Sequence, residues 1–166
     1  MEFKPLKQPT DWTCWPTVLA MVTGKTVDDV VAFIGHDGGA ADPDGALVSG
    51  KKRRAVWDQE AIIYLAAHGW TMGAWFGGSP AAVGATASDW GCWSQYPAVL
   101  VVKSQRFEGC THVVLWDGAA VLDPNPTKPE RCQLDEYEIR QWWPVIHWGR
   151  QFFDQLRYVP EVEQAA

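Results

Sequence analysis

The amino-acid sequence predicts an α+β domain in which N-terminal helices pack against a C-terminal antiparallel sheet. Three observations carry this expectation. Helical spacing and helix punctuation are confined to residues 14–69, apolar runs of strand length lie beyond them at Tyr96–Lys103 and His112–Trp116, and Asp117-Gly118 follows the second run as a hairpin turn does. At 166 residues the chain suffices for one hydrophobic core and is short for two, so residues 1–166 read as a single domain.

The chain enters through Lys7-Gln8-Pro9-Thr10-Asp11 in turn or extended form, then runs largely apolar from Cys14 to Val22. Pro16 suits a first helical turn, where its missing amide would have no intrahelical acceptor, and Gly24 supplies a stop. Cys14 is therefore expected at the mouth of a short helix. A second helix is predicted from Val27 to about Ile34, with Thr26 as its cap, Asp29 in the acidic third position and Gly35 at its end. Residues 36–50, HDGGAADPDGALVSG, read as a surface loop that either borders a cleft or is an insertion without a chemical role. Their acidic residues lack a complete EF-hand spacing. The basic run Lys51-Lys52-Arg53-Arg54 reads as a solvated loop or helix approach. From Trp57 to Ala67, apolar side chains at Trp57, Ala61, Ile62, Leu65 and Ala66 recur near helical spacing, and Gly69 follows as terminator.

Strands come next. Trp70–Phe76 is one candidate, and Tyr96–Lys103, with the run Val99-Leu100-Val101-Val102, is a stronger one. If Asp117-Gly118 forms a two-residue turn, Trp116 faces Ala119, Val114 faces Val121 and His112 faces Asp123. Imidazole and carboxylate then share a sheet face with Cβ atoms about 4.5–5.5 Å apart, and a one-residue slip would separate them. Pro124 and Pro126 end the strand. The aromatic patch of Trp142, Trp143 and Trp148 carries no clear secondary-structure signal.

Composition narrows the function. The formal charge of −6 leaves no cation excess to displace counterions from a nucleic acid, so no nucleic-acid partner is expected. The N-terminus MEFKPLKQPTDW lacks the apolar stretch of a signal peptide, and no run approaches the roughly 20 apolar residues that cross a bilayer. The expectation is a cytoplasmic chain with no membrane partner. Most of the eleven tryptophans are expected to fill the core and some to line a cleft. The four cysteines lack paired metal-ligand spacings, so free thiols are expected, with Cys92, Cys110 and Cys132 structural. No P-loop, dinucleotide fingerprint or zinc-protease helix occurs, and the chemistry below calls for no cofactor or metal.

Cys14 has the catalytic context the other cysteines lack. A helix N-terminus favours thiolate over thiol, and the thiolate is the nucleophile. His112 is the candidate acid and base, and Asp123 the group that orients it, with Asn125 close enough in sequence to compete. His36, His68 and His147 lack an obvious partnered motif, although His68 near a helix end can interact with the dipole. Gln8, six residues before Cys14, can donate its amide to a developing oxyanion or simply hydrogen-bond the turn.

The stretch Gln8-Pro9-Thr10-Asp11-Trp12-Thr13-Cys14-Trp15-Pro16, joined to His112-Val113-Val114-Leu115 and Asp123-Pro124, resembles the papain-like cysteine peptidase superfamily, and most of all its small C39-like, bacteriocin-processing type. The resemblance spans roughly residues 5–126, with its strong matches at the two ends. It implies a papain-like fold, thiol attack on a peptide or related amide bond, and the roles of Gln8 as oxyanion donor, Cys14 as nucleophile, His112 as acid and base and Asp123 as orienting residue. Trp15 stands where many C39-like members have Gly. A cysteine peptidase or isopeptidase acting on a peptide or protein through a thioester is the leading expectation. A glutamine or asparagine deamidase, and a non-enzymatic papain-like module that sequesters a partner protein, are the alternatives. The oligomeric state is not legible.

Overall fold

A computed structural model of the chain describes residues 2–73, 76–77 and 94–148. Three helices come first: α1 at Cys14–Thr23, α2 at Val27–Ile34 and α3 at Asp58–Ala67. Between α2 and α3 lies a hairpin of β1 (Ala41–Val48) and β2 (Lys51–Arg53). After α3 come β3 (Trp70–Met72), β4 (Phe76–Gly77), β5 (Ala98–Lys103), β6 (Thr111–Trp116), β7 (Val121–Leu122) and β8 (Ile139–His147). All strand pairings are antiparallel; the main sheet runs β3-β8-β5-β6-β7, and β4 also pairs with β8. This is the α+β arrangement that the sequence predicts.

Each helix forms for a local reason. In α1 every residue from Trp15 to Val22 is buried, so this helix is apolar on all sides and sits inside, against α2, α3 and β6. Gly24 ends it in the left-handed conformation, returning its amide to Ala20 O. The expected capping box of α2 is present: Thr26 Oγ1 accepts from Asp29 N at 3.1 Å, and Asp29 Oδ2 accepts from Thr26 N at 3.0 Å. In α3 the buried face is Ala61, Tyr64 and Leu65. Trp57, Ile62 and Ala66 do not join it as their spacing suggested: Trp57 precedes the helix, its amide donating to Glu60 Oε2, and all three side chains are exposed.

The sheet separates two cores by strand alternation. Val99 and Val101 of β5 face the helices together with Val113 and Leu115, whereas Ala98, Leu100 and Val102 face a second cluster with Cys132, Leu134, Tyr137 and Trp142. Burial on both faces explains why β5 reads as one continuous apolar run. The strand beside it is β8, which takes in the Trp142-Trp143 patch and packs Trp142 fully inside. Of the other tryptophans, Trp15, Trp70 and Trp116 are buried and Trp148 is exposed, while Trp75, Trp90, Trp93 and Cys92 lie outside the described residues.

Two sequence expectations are corrected here. Residues 36–50 are not simply a loop, and Lys51-Lys52-Arg53, although its two lysines are exposed, is a strand and not a loop or helix approach. Val48 pairs with Lys51 across Ser49-Gly50, both at positive φ (51° and 74°), as a type I′ hairpin turn requires. The register then breaks, so that both Ala41 and Ala46 oppose Arg53. Gly45 sits in this bulge because a Cβ there would lie 1.9 Å from Arg53 O.

The second correction concerns the turn after β6. Trp116 pairs with Val121 and Leu115 with Leu122, so the loop is the four residues 117–120 rather than Asp117-Gly118 alone. Asp117 closes it from both sides: its amide donates to Ala120 O, and its Oδ1 accepts from Ala119 N and Ala120 N. The register moves by two residues, an even number, so His112 and Asp123 keep the same face. Extending the pairing by one step sets Asp123 opposite Val114, diagonal to His112 and not directly across from it. Among the described residues no helix is long and apolar enough to cross a membrane.

Candidate active site

Cys14 is the first residue of α1, and the turn before it leaves that helix end open. Thr13 does not cap the helix; its hydroxyl instead donates to Thr10 O at 3.0 Å and accepts from Thr10 N at 3.1 Å, closing the entry loop on itself. The amides near Cys14 are thereby left to the sulfur. Burial, the largest influence on the thiol, would raise its pKa, but a hydrogen bond and charge from His112, with the amides of Val113 and Trp15, outweigh it and lower the pKa.

His112 occupies the second position of β6, which packs against α1. Its Nε2 lies 2.8 Å from Asp123 Oδ1, which leaves Nδ1 for the Cys14 side of the ring. Burial again works against the charged form, yet the hydrogen bonds to Asp123 and Cys14, with their charges, push the imidazole up to about 10. Asp123 is 3% exposed, and its desolvation would raise its pKa; His112, the Asn125 amide and the Tyr137 hydroxyl reverse that and hold the carboxyl below the usual range. Oδ1 accepts from Asn125 N at 2.8 Å and Oδ2 from Tyr137 Oη at 2.7 Å. The arrangement favours a thiolate–imidazolium pair beside a buried carboxylate.

The Asn125 side chain, unlike its backbone amide, takes no part in this. Its Oδ1 is taken by Thr127 N at 3.0 Å and Thr127 Oγ1 at 2.9 Å, so of the two candidates it is Asp123 that meets the imidazole. Gln8 is 7% exposed and is among the residues lining the same cleft as Cys14 and His112. The contact that holds its turn is made by the backbone, Gln8 N to Pro124 O at 2.8 Å, while Oε1 is buried with no partner among the described residues. All four expected site residues thus line one cleft of about 270 Å³.

Two supports were not read from the sequence. Lys7 Nζ donates toward four main-chain carbonyls: Asp123 at 3.0 Å, Asn125 at 3.2 Å, Lys128 at 2.8 Å and Pro129 at 3.2 Å. It ties the segment before Gln8 to the loop after β7. The other support is the β1–β2 hairpin, which is fastened along the cleft rim. Ser49 Oγ donates to Asp11 Oδ2 at 2.7 Å, Arg53 stacks 4.0 Å over the Trp12 ring, and Cys110 Sγ donates to Leu47 O at 2.6 Å. Arg106 on the sheet side reaches Asp11 Oδ1 at 2.6 Å. Residues 36–54 therefore border the cleft, with Val48 and Arg53 in its wall.

Other cysteines and histidines among the described residues take other places. Cys110 and Cys132 are buried free thiols. His36 Nε2 meets Glu60 Oε1 at 2.9 Å, and His68 Nδ1 meets Tyr64 O at 2.8 Å at the end of α3.

No family model and no curated protein matches the sequence. Among solved structures, the chain is similar to the peptidase domain of Streptococcus ComA, a bi-functional ABC transporter involved in a quorum-sensing pathway. The two superpose with a TM-score of 0.57 at 12% identity, covering 88% of this chain and 99% of that domain. The chain accordingly shares the fold of that domain, with N-terminal helices packed on a C-terminal antiparallel sheet.

Proposed function

We propose that the chain is a cysteine hydrolase that cleaves a peptide, isopeptide or closely related amide bond through a thioester intermediate. The observation that carries this reading is the contact chain Cys14–His112–Asp123 at the open N-terminus of α1. The Cys14 thiolate attacks the substrate carbonyl carbon, and the carbonyl electron pair moves onto oxygen. That oxyanion lies within the field of the helix N-terminus, with the Cys14 amide and the Gln8 carboxamide nitrogen as its donors. As the tetrahedral species collapses, the C–N bond breaks and His112 gives the Nδ1 proton to the departing amine. A thioester and a neutral imidazole remain. Water then attacks the thioester as His112 takes one of its protons; the C–S bond breaks, releasing the acid and restoring the thiolate–imidazolium pair. Asp123 stays ionised throughout, fixing the ring and favouring its charged form.

Iodoacetamide labelling at mildly acidic pH tests the first step. Cys14 is expected to react far faster than an ordinary thiol in the wild-type chain and to lose that advantage in His112→Ala. A Cys14 that labels no faster than a model peptide thiol would sink the reading. Intact-mass detection of an acyl adduct on Cys14 with peptide esters or amides then tests the thioester.

A further inference from the structure

We propose that Tyr137 is a positioning residue of this site, its hydroxyl locking the Asp123 carboxylate in the one orientation that presents Oδ1 to His112. The inference rests on the hydrolase reading and deepens it. The Tyr137 side chain is 1% exposed and packs in the second core with Trp142 and Leu134, so its hydroxyl has little freedom to choose a partner. It donates to Asp123 Oδ2 at 2.7 Å, on the side of the carboxylate opposite His112.

The other acceptors of Asp123 already have their donors. Its carbonyl receives Lys7, and Oδ1 receives both Asn125 N and His112 Nε2. Oδ2 has no other donor among the described residues, so without Tyr137 the carboxylate would carry a buried oxygen with no hydrogen bond. Rotation about χ2 toward another donor would then compete with the His112 contact. Burial first, then Cys132 and the Asp123 charge, raise the phenol pKa, so Tyr137 remains a proton donor throughout the working range.

A buried phenol that merely needs an acceptor would show the same contact, so the test must read His112 itself. Tyr137→Phe keeps the buried ring and removes only the donor. With the full chain, NMR titration of the His112 ring is expected to show its pKa falling by about one unit, and kcat to fall with KM unchanged. Asp123→Asn serves as the second background, in which Tyr137→Phe should no longer move the His112 value. An unchanged His112 titration in Tyr137→Phe, or an equal shift in the Asp123→Asn background, overturns the proposal whether or not the chain proves to be a hydrolase. Loss of Cys14 activation in the wild type is a separate result and bears on the hydrolase reading alone.

Discussion

Replacing Lys7 by Met removes one ammonium from four carbonyls while keeping most of the side-chain length. An ammonium has three protons, so at most three of the contacts at 2.8–3.2 Å are well directed at one time. Hydrogen bonds to charged groups are worth about 1.5–3 kcal/mol each when their acceptors are left unpaired. The Pro129 contact is exposed, and its carbonyl recovers water in the variant. Freeing the lysine stem returns up to about 2 kcal/mol of side-chain entropy. The Asn125 carbonyl keeps its bond from Lys128 N, so two carbonyls are left unpaired and the net loss expected is about 1–4 kcal/mol, or a fall in Tm of roughly 3–12 °C for a chain of this size. Urea unfolding at neutral pH measures the first quantity and calorimetry the second. Lys7→Arg should recover only part of the loss, because a planar guanidinium cannot converge on four carbonyls arranged around a point. Hydrogen exchange should localise the damage to residues 123–129, and turnover should fall as Gln8 and Asp123 lose their fixed spacing. A destabilisation below about 1 kcal/mol would refute the reasoning, since that is the worth of an ordinary surface contact.

Other outcomes follow from the same geometry. Gln8→Ala should lower kcat by about 10²-fold while leaving iodoacetamide labelling of Cys14 unchanged, because it removes an oxyanion donor without touching the ion pair. Asp123→Asn should lower kcat by about 10²-fold, whereas Asn125→Asp at the neighbouring position should not substitute for it in the double variant. Activity needs thiolate and imidazolium together, so a pH–rate profile should fall on the acid side through the depressed Cys14 pKa and on the alkaline side through about 10 as His112 loses its proton. Stability carries the same sign: the raised His112 value contributes fully below the unfolded pKa of about 6.5 and is lost as pH rises through about 10, which unfolding melts across that range would show.

The parts of the site legible in the sequence are those set by local rules. Cys14 at a helix start follows from Pro16 and Gly24, and the α2 boundaries follow from Thr26, Asp29 and Gly35, all within a few residues of the element they define. The pairing of His112 with Asp123 depended on a register that the sequence misjudged. Asp117-Gly118 carries a strong two-residue turn signal, but Asp117 instead folds its carboxylate over the amides of Ala119 and Ala120 and lengthens the loop. Because strand side chains alternate with a period of two, that two-residue error left both groups on one face and only made them diagonal neighbours.

Residues 36–54 look like a loop because Gly, Pro and Asp weaken strand propensity, yet beside its own ladder the hairpin is fastened by distant groups: Asp11 for Ser49, Trp12 for Arg53 and Cys110 for Leu47. None of these partners is local in sequence. Lys7 and Tyr137 are hidden for the same reason, since their acceptors lie on the 123–129 loop and a propensity scale registers neither. Chemistry could be guessed from residue types near a helix start, whereas the framework that holds the chemistry in place is built from long-range polar contacts. The variants most informative about this site are therefore those at Lys7 and Tyr137, which touch no reacting atom: a loss of turnover there, with Cys14 and His112 both intact, would show that the cleft works through the positions of its groups as much as through their identities.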